Sequence, residues 1–289
     1  MSERNTISQR TRCGYEGEPP CEIEEVSIKV PPRAIPSITP GTPYGLDPGY
    51  PFPPSGGCGT YNNCGGGGSS SPPITPPPTT PCDKAKLISN STINKDLFNI
   101  LKGLTTSSGA ENAYTINPDG TYDYHPGITS GIGTGELSLS FNGPVNAVLH
   151  SHYSGLFSTF SVSDVFAIAS MYKQGVISNT NTFVFGVVTA SGTQYLLVID
   201  DLQKFGNFTS SAVDFNGMLN SEFFRQYESM YKNLGISTLN TIQNNESLFT
   251  KFLEMTNTGM KMVKGSSDFS NWSTLNLNYN DEAIPQQCN

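Results

Sequence analysis

The alternation of apolar and polar positions predicts regular secondary structure over much of the chain. Across 83–104, apolar residues recur at the spacing of one helical face, which predicts a helix or a broken pair of helices. The short alternating runs 112–116 and 121–124 flank the turn-forming sequence NPDG, and they predict a β-hairpin. Two further strands are expected at 136–141 and at 145–152, and the second is an apolar run that ends on histidines.

The second half of the sequence continues with helical and strongly apolar segments. Positions 164–174 place apolar residues on one face and are followed by Gly175, which predicts a helix with a C-terminal cap. The remaining predicted elements are a hairpin of strands 182–189 and 194–200, helices at 218–234 and 246–255, and an edge strand within 259–278. This order predicts an α+β fold in which a mixed β-sheet is layered with helices.

The first third of the chain has a different composition, rich in proline and glycine. The whole sequence contains 29 glycines and 21 prolines, and runs such as PGYPFPPSGGCG and TPPPTTP concentrate them before residue 82. A segment of this kind buries too little apolar surface to offset the entropy of ordering it. We therefore expect residues 1–81 to form a disordered arm, within which 22–30 (EIEEVSIKV) has a weak strand pattern that could pair with another strand.

The charge and hydropathy of the chain limit the classes of partner and the cellular locations that we expect. The formal net charge is -8 and the pI is about 4.9, and no basic cluster of the kind that binds a phosphate backbone occurs, which predicts no nucleic-acid partner. No stretch approaches the roughly 18 apolar residues of a membrane span, and residues 1–12 lack the apolar core of a signal peptide. The sequence thus predicts a soluble protein that is cytoplasmic or exported by a leaderless route.

Six cysteines leave two readings open. They are Cys13, Cys21, Cys58, Cys64, Cys82 and Cys288. No pair has the C-x-x-C spacing of a zinc cluster. Disulfides would suit an exported protein and free thiols a cytosolic one, so the cysteine pattern leaves the compartment open.

The candidate chemistry lies where the apolar run 145–152 ends. Only three histidines occur in the chain, and two of them, His150 and His152, are separated by a single residue. On a strand, residues i and i+2 face the same side and lie about 6 to 7 Å apart, so both rings can reach one ion. Asp164, at the start of the next predicted helix, supplies a third ligand, and a catalytic zinc site needs three protein ligands and an open position.

A metal-dependent hydrolase also needs a carboxylate that moves protons. Glu111, just before the strand 112–116, is the predicted general base, and Glu136 is the competing choice. Ser161 lies close enough in sequence to help hold the oxyanion of a tetrahedral intermediate.

The same residues also fit structural roles. A Ser-x-x-Asp sequence before an apolar helix also fits a capping box, with Ser161 as N-cap and Asp164 at position N3. The third histidine, His125, is predicted to be a surface or structural residue. Other zinc hydrolases are excluded by their motifs: the deaminase H-x-E and P-C-x-x-C, the zincin H-E-x-x-H, and the additional downstream histidines of amidohydrolases do not occur.

Together these positions resemble the motif of the JAMM (JAB/MPN) metallopeptidases. The resemblance is carried by Glu111, the triplet His150-Ser151-His152, and the run Ser161-Val162-Ser163-Asp164. It implies that the two histidines and Asp164 bind zinc, that Glu111 is the general base, and that Ser161 supports the oxyanion. More loosely, the region looks like JAMM-like domains at the C-terminal ends of bacterial, particularly Bacteroidetes, proteins.

The resemblance has two departures and a limited extent. Eight residues, 153–160, separate the second histidine from the serine where the common pattern has seven, and Tyr153 stands where many members have proline. It covers about 82–201, which predicts a JAMM-like metallopeptidase core between the arm and a C-terminal helical extension, 202–289. The implied function is a zinc-dependent peptidase or isopeptidase acting on a peptide or protein. The alternatives are a non-catalytic JAB/MPN-fold interaction module, or a secreted effector whose arm is a delivery segment.

Overall fold

The structure of the protein is a computed structural model that describes residues 27–28, 80–130, 134–214 and 217–288. The helices of this part of the chain are α1 (Pro81–Ser89), α2 (Thr92–Ser107), α3 (Val162–Lys173), α4 (Leu202–Ala212), α5 (Ser221–Asn233) and α6 (Ile242–Met255). The strands are β1 (Ser27–Ile28), β2 (Ala113–Ile116), β3 (Tyr122–His125), β4 (Ile128–Ser130), β5 (Thr134–Glu136), β6 (Ser138–Leu139), β7 (Ala147–His152), β8 (Val184–Thr189), β9 (Gln194–Ile199), β10 (Met260–Gly265), β11 (Trp272–Leu277) and β12 (Ala283–Gln287). The arm predicted for 1–81 lies outside the described residues, except at β1 and at its last two positions.

Eight of these strands form one mixed sheet in the order β12-β11-β10-β9-β8-β7-β2-β3. In this sheet β7 and β8 pair in parallel, and the other neighbouring pairs are antiparallel. The α+β class and the mixed sheet layered with helices are therefore confirmed. Residues 202–289 contribute three strands to the same sheet as residues 82–201, so the two segments share one core.

Helices cover both faces of the sheet. Along β7, Val148 belongs to the apolar cluster beneath α3 to α6, while Ala147 and Leu149 belong to the cluster beneath α1 and α2. Along β9, Leu197 and Leu196 divide in the same way. Burial on both faces explains why the central strands read as continuous apolar runs instead of alternating with polar residues.

The helix and hairpin predictions with the clearest local patterns are confirmed. The segment 83–104 is a broken pair of helices, because Ser91 accepts a hydrogen bond from the backbone N–H of Asn94 and so begins a second helix. The hairpin of β2 and β3 turns through Gly120, whose φ of 84° lies in the left-handed region. The second hairpin, β8 and β9, is also antiparallel as predicted.

Two predictions about secondary structure are corrected, and one further helix is present. The single strand predicted at 136–141 is two short strands, because β5 pairs with β4 while β6 pairs in parallel with β1. The predicted edge strand within 259–278 is two strands, and the edge is formed by β12 further along the chain. Helix α4 was not predicted, because Gly206 and several small polar residues dilute its apolar face, which consists mainly of Phe205 and Phe208.

A disulfide bond joins the first helix to the end of the last strand. Cys82 in α1 and Cys288 after β12 have their Cα atoms 5.2 Å apart and are bonded across a sequence separation of 206. The hypothesis that the cysteines form disulfides thus holds for this pair. The four other cysteines lie outside the described residues. None of the helices in the described part of the chain has both the length and the apolar character that crossing a membrane requires.

Candidate metal centre

The two histidines of the triplet lie at the end of a central strand and are shielded from solvent. His150 and His152 are 0% and 2% exposed and project from the same face of β7. The ring of His150 packs 5.0 Å from the ring of Phe185 on the parallel neighbour β8. Central strands with buried neighbours on both sides hold side chains in fixed directions, so the rings are preorganised.

Asp164 is brought to the histidines by the beginning of α3. The capping box foreseen for Ser161 and Asp164 is present: Asp164 N donates to Ser161 Oγ at 3.2 Å, and Asp164 Oδ2 accepts from Ser161 N at 2.7 Å. Ser161 Oγ also donates to Oδ2 at 2.9 Å. These bonds fix the carboxylate of Asp164 and leave its second oxygen, Oδ1, directed elsewhere.

The nitrogen and oxygen atoms of the three residues converge on one point. His150 Nε2 lies 3.2 Å from His152 Nε2 and 3.2 Å from Asp164 Oδ1. His152 Nε2 lies 3.7 Å from Asp164 Oδ2. Ligands at 2.0 to 2.1 Å from a tetrahedral ion are about 3.3 to 3.4 Å apart. The two distances of 3.2 Å fit the edges of such a coordination shell, whereas the distance of 3.7 Å is longer and involves the other carboxylate oxygen. This buried group can hold a metal ion.

The environment lowers the pKa values of both His152 and Asp164. Burial lowers the pKa of His152 to about 4, against the opposing effect of the Asp164 charge. Burial alone would raise the pKa of Asp164. The pKa is instead lowered to about 2 by interactions with His150, through charge and a hydrogen bond, and further by the charge of His152 and the backbone N–H of Ser161. A neutral imidazole and an ionised carboxylate are the forms that bind metals.

The hydrogen bonds around the group indicate which atoms remain for a metal. His152 Nδ1 lies 3.1 Å from the carbonyl oxygen of Phe157, so Nδ1 carries the proton and the lone pair on Nε2 faces the group. Asp164 Oδ1 is buried and lies 3.2 Å from His150 Nε2, with no hydrogen bond of good geometry to the described residues. A buried acceptor of this kind is costly unless a cation or donor satisfies it.

The predicted general base lies beside the metal group. Glu111, 7% exposed, places Oε1 3.5 Å from His152 Nε2. Its backbone is held by a close approach of Gly127, where an added Cβ would lie 1.9 Å from the carbonyl oxygen of Glu111. The competing residue, Glu136, pairs through its backbone with Ile128 in the hairpin of β4 and β5. The structure therefore brings four of the predicted residues together with Ser161 at the helix start.

Comparison with protein-family models, with curated proteins and with solved structures gave no match. The candidate metal centre therefore rests on the geometry of this chain and on the chemistry of its donor atoms.

The third histidine is structural. His125 is buried at the end of β3, and its Nε2 lies 3.1 Å from Thr115 Oγ1 on β2. Burial lowers its pKa, while the nearby charge of Asp123 opposes the change. The prediction of a surface or structural role is thus confirmed in its structural form.

Sequence reasoning missed the residues that hold the loop between the ligands. Tyr231 in α5 and Asn245 in α6 bond to the loop 153–160 from 71 and 87 positions along the chain. No local spacing links such distant residues, and both fit an ordinary amphipathic helix. Only the pairing of β9 with β10, which brings the C-terminal segment back to the sheet, reveals their place.

Proposed function

We propose that the chain is a zinc-dependent peptidase or isopeptidase with a JAMM-like (JAB/MPN) domain, in which His150, His152 and Asp164 hold the metal. The observation that carries the proposal is the convergence of two buried imidazole nitrogens and a carboxylate at 3.2 to 3.7 Å. Glu111 beside this group supplies the fourth element of a metallohydrolase, a carboxylate in addition to the three proposed ligands.

Zinc bound at this site would polarise the carbonyl of a peptide bond and lower the pKa of water, as it does in other hydrolases with three protein ligands. The protein residues then carry the proton transfers. Glu111 Oε1 accepts a proton from the attacking water and returns it to the nitrogen of the leaving amine. The separation of 3.5 Å between Oε1 and His152 Nε2 supports this role.

We infer that substrate approaches from the side of Glu111 and Ser161, the most exposed of the five proposed site residues. These residues are 7% and 8% exposed, whereas the three proposed ligands are exposed by 2% or less. Ser161 orients Asp164 through its hydroxyl and backbone N–H. Support of an oxyanion by the same hydroxyl stays a prediction, since its proton is donated to Asp164 Oδ2.

The test combines metal analysis with a matched pair of glutamate variants. Elemental analysis of the full chain should find one zinc per molecule, and His152→Ala should lose it. Glu111→Gln should keep the zinc but abolish cleavage of a peptide library, read by mass spectrometry of newly formed amino termini. Glu136→Gln, the control, should cleave like the wild type.

The outcomes separate the enzyme from its alternatives. A wild-type protein that binds no zinc would remove the metal site and the catalytic proposal together. Stoichiometric zinc with no cleavage by the wild type would favour a non-catalytic module. Loss of cleavage in Glu136→Gln but not in Glu111→Gln would transfer the role of the base to Glu136.

A further inference from the structure

The loop 153–160 connects the two halves of the metal group and sets the distance between them. It follows His152 directly and leads into Ser161, the residue that caps α3 and orients Asp164. The carbonyl oxygen of Phe157 within this loop lies 3.1 Å from His152 Nδ1 and fixes the orientation of that ring. A displacement of the loop would therefore move His152 and Asp164 relative to each other.

Two side chains from the C-terminal segment hold this loop. The hydroxyl of Tyr231 in α5 donates to the carbonyl oxygen of Phe160 at 2.8 Å, one residue before Ser161. The side-chain nitrogen of Asn245 in α6 donates to Ser158 Oγ at 3.1 Å. The aromatic ring of Tyr231 also packs edge-on against that of Phe157 at 5.3 Å, so this one residue contacts the loop in its middle and at its last position.

Both residues are themselves immobilised, as a rigid support requires. Tyr231 is 4% exposed and Asn245 is 1% exposed. Asn245 donates to the carbonyl oxygen of Ser237 at 2.8 Å and accepts from Asn240 Nδ2 at 3.0 Å. A side chain whose rotamer is locked by packing and hydrogen bonds transmits its own position to the groups that it contacts.

Resting on the proposed function, we propose that Tyr231 and Asn245 are positioning residues of the metal centre, which fix the loop 153–160 and through it the separation of His152 and Asp164. Helices α5 and α6 are then part of the metal site. The C-terminal segment completes the core that the sequence motif alone delimits at about residue 201.

The chain offers a matched control for Tyr231. Tyr227 lies one helical turn earlier in α5, is 6% exposed, and donates from its hydroxyl to the carbonyl oxygen of Thr256 at 3.1 Å. Tyr231→Phe and Tyr227→Phe each delete one buried hydroxyl bonded to one backbone carbonyl. Only Tyr231→Phe removes a hydrogen bond to the loop 153–160. A general loss of stability would therefore affect both variants, whereas a loss of positioning at the metal group would affect Tyr231→Phe alone.

The experiment measures metal binding by the full chain. Zinc affinity is determined by competition with a chromogenic chelator, and the visible spectrum of the cobalt(II)-loaded protein reports the ligand geometry. Outer-shell partners of metal ligands typically account for about 10- to 100-fold in metal affinity. We expect Tyr231→Phe to bind zinc about 10-fold more weakly and to change the cobalt spectrum, Asn245→Ala to change both in the same direction, and Tyr227→Phe to match the wild type.

Each other outcome decides a specific point. Affinity and spectrum equal to the wild type in both Tyr231→Phe and Asn245→Ala would overturn this inference alone. Equal weakening in Tyr227→Phe would overturn it as well, since the effect would then be a general loss of stability. A wild-type protein that binds neither zinc nor cobalt would overturn both this inference and the proposed function.

Discussion

Removing the disulfide bond between Cys82 and Cys288 should lower the free energy of unfolding by about 5 kcal/mol. The bond closes a loop with a sequence separation of 206. For a loop of that length, the loop-closure entropy is about 18 cal/mol/K, which corresponds to about 5 kcal/mol at 25 °C. The double variant Cys82→Ser/Cys288→Ser should therefore be strongly destabilised while keeping the same native fold.

The structure indicates that this effect falls on the unfolded state. Only the first residue of β12, Ala283, is buried, and the four that follow are exposed. The local native contacts at risk are the packing of Cys288 against the cluster beneath α1 and α2, and the backbone bond from Cys288 N to the carbonyl oxygen of Trp272 at 2.9 Å. Without the cross-link, the unfolded chain gains the freedom that the bond denied it.

Urea unfolding of the oxidised wild type and of the double variant measures the difference. The single tryptophan, Trp272, is 3% exposed, so its fluorescence reports loss of the core. The variant should have a lower midpoint and a larger m-value, because an unfolded chain without the cross-link exposes more surface. A loss below about 1 kcal/mol would refute the loop-closure argument, provided that mass spectrometry finds the bond in the wild type.

Two further predictions concern glycine positions and a buried lysine. Gly127→Ala should lower the free energy of unfolding by about 1 to 3 kcal/mol, because the added Cβ would lie 1.9 Å from the Glu111 carbonyl oxygen. Gly103→Ala, on α2, adds a Cβ with nothing within 4 Å of it. In the same urea assay this second variant should raise the free energy of unfolding by about 1 kcal/mol. Lys84 donates to two backbone carbonyls from a buried position, and burial lowers its pKa from 10.5 to about 8, against the opposing charge of Asp200. Between those pH values the unfolded chain binds the extra proton, so the stability of the wild type relative to Lys84→Met should rise with pH; a flat or falling difference would contradict this.

The local elements could be predicted because their signals lie within a few residues. The turn sequence NPDG defines the first hairpin, and the Ser-x-x-Asp spacing of Ser161 and Asp164 defines the start of α3. The elements that were predicted wrongly depend on pairing with residues far away in the sequence. The short strand β6 exists through its pairing with Ser27–Ile28, more than 100 residues away, which no periodicity within 136–141 reveals.

The same division applies to the candidate site. His150 and His152 are adjacent on one strand, so strand geometry alone predicts that both rings reach one ion. Asp164 follows after a short loop, and its capping role fixes it near the histidines. Tyr231 and Asn245, in contrast, reach the loop only because the sheet continues through β10 to β12, and sequence spacing carries no information about such contacts.

The burial of the group favours a metal ion over a simple network of hydrogen bonds. Asp164 is fully buried and ionised, and an isolated buried carboxylate is costly unless positive charge or hydrogen bonds compensate it. Ser161 donates two hydrogen bonds to Oδ2, whereas Oδ1 lies 3.2 Å from His150 Nε2 and has no hydrogen bond of good geometry to the described residues. A divalent ion would satisfy Oδ1 and the Nε2 lone pairs of both imidazoles at once.

We therefore expect added zinc to raise the thermal midpoint of the wild type and to leave that of His152→Ala unchanged, since a ligand that binds only the folded state stabilises it. Equal shifts of the thermal midpoint in both proteins would contradict zinc binding at this group.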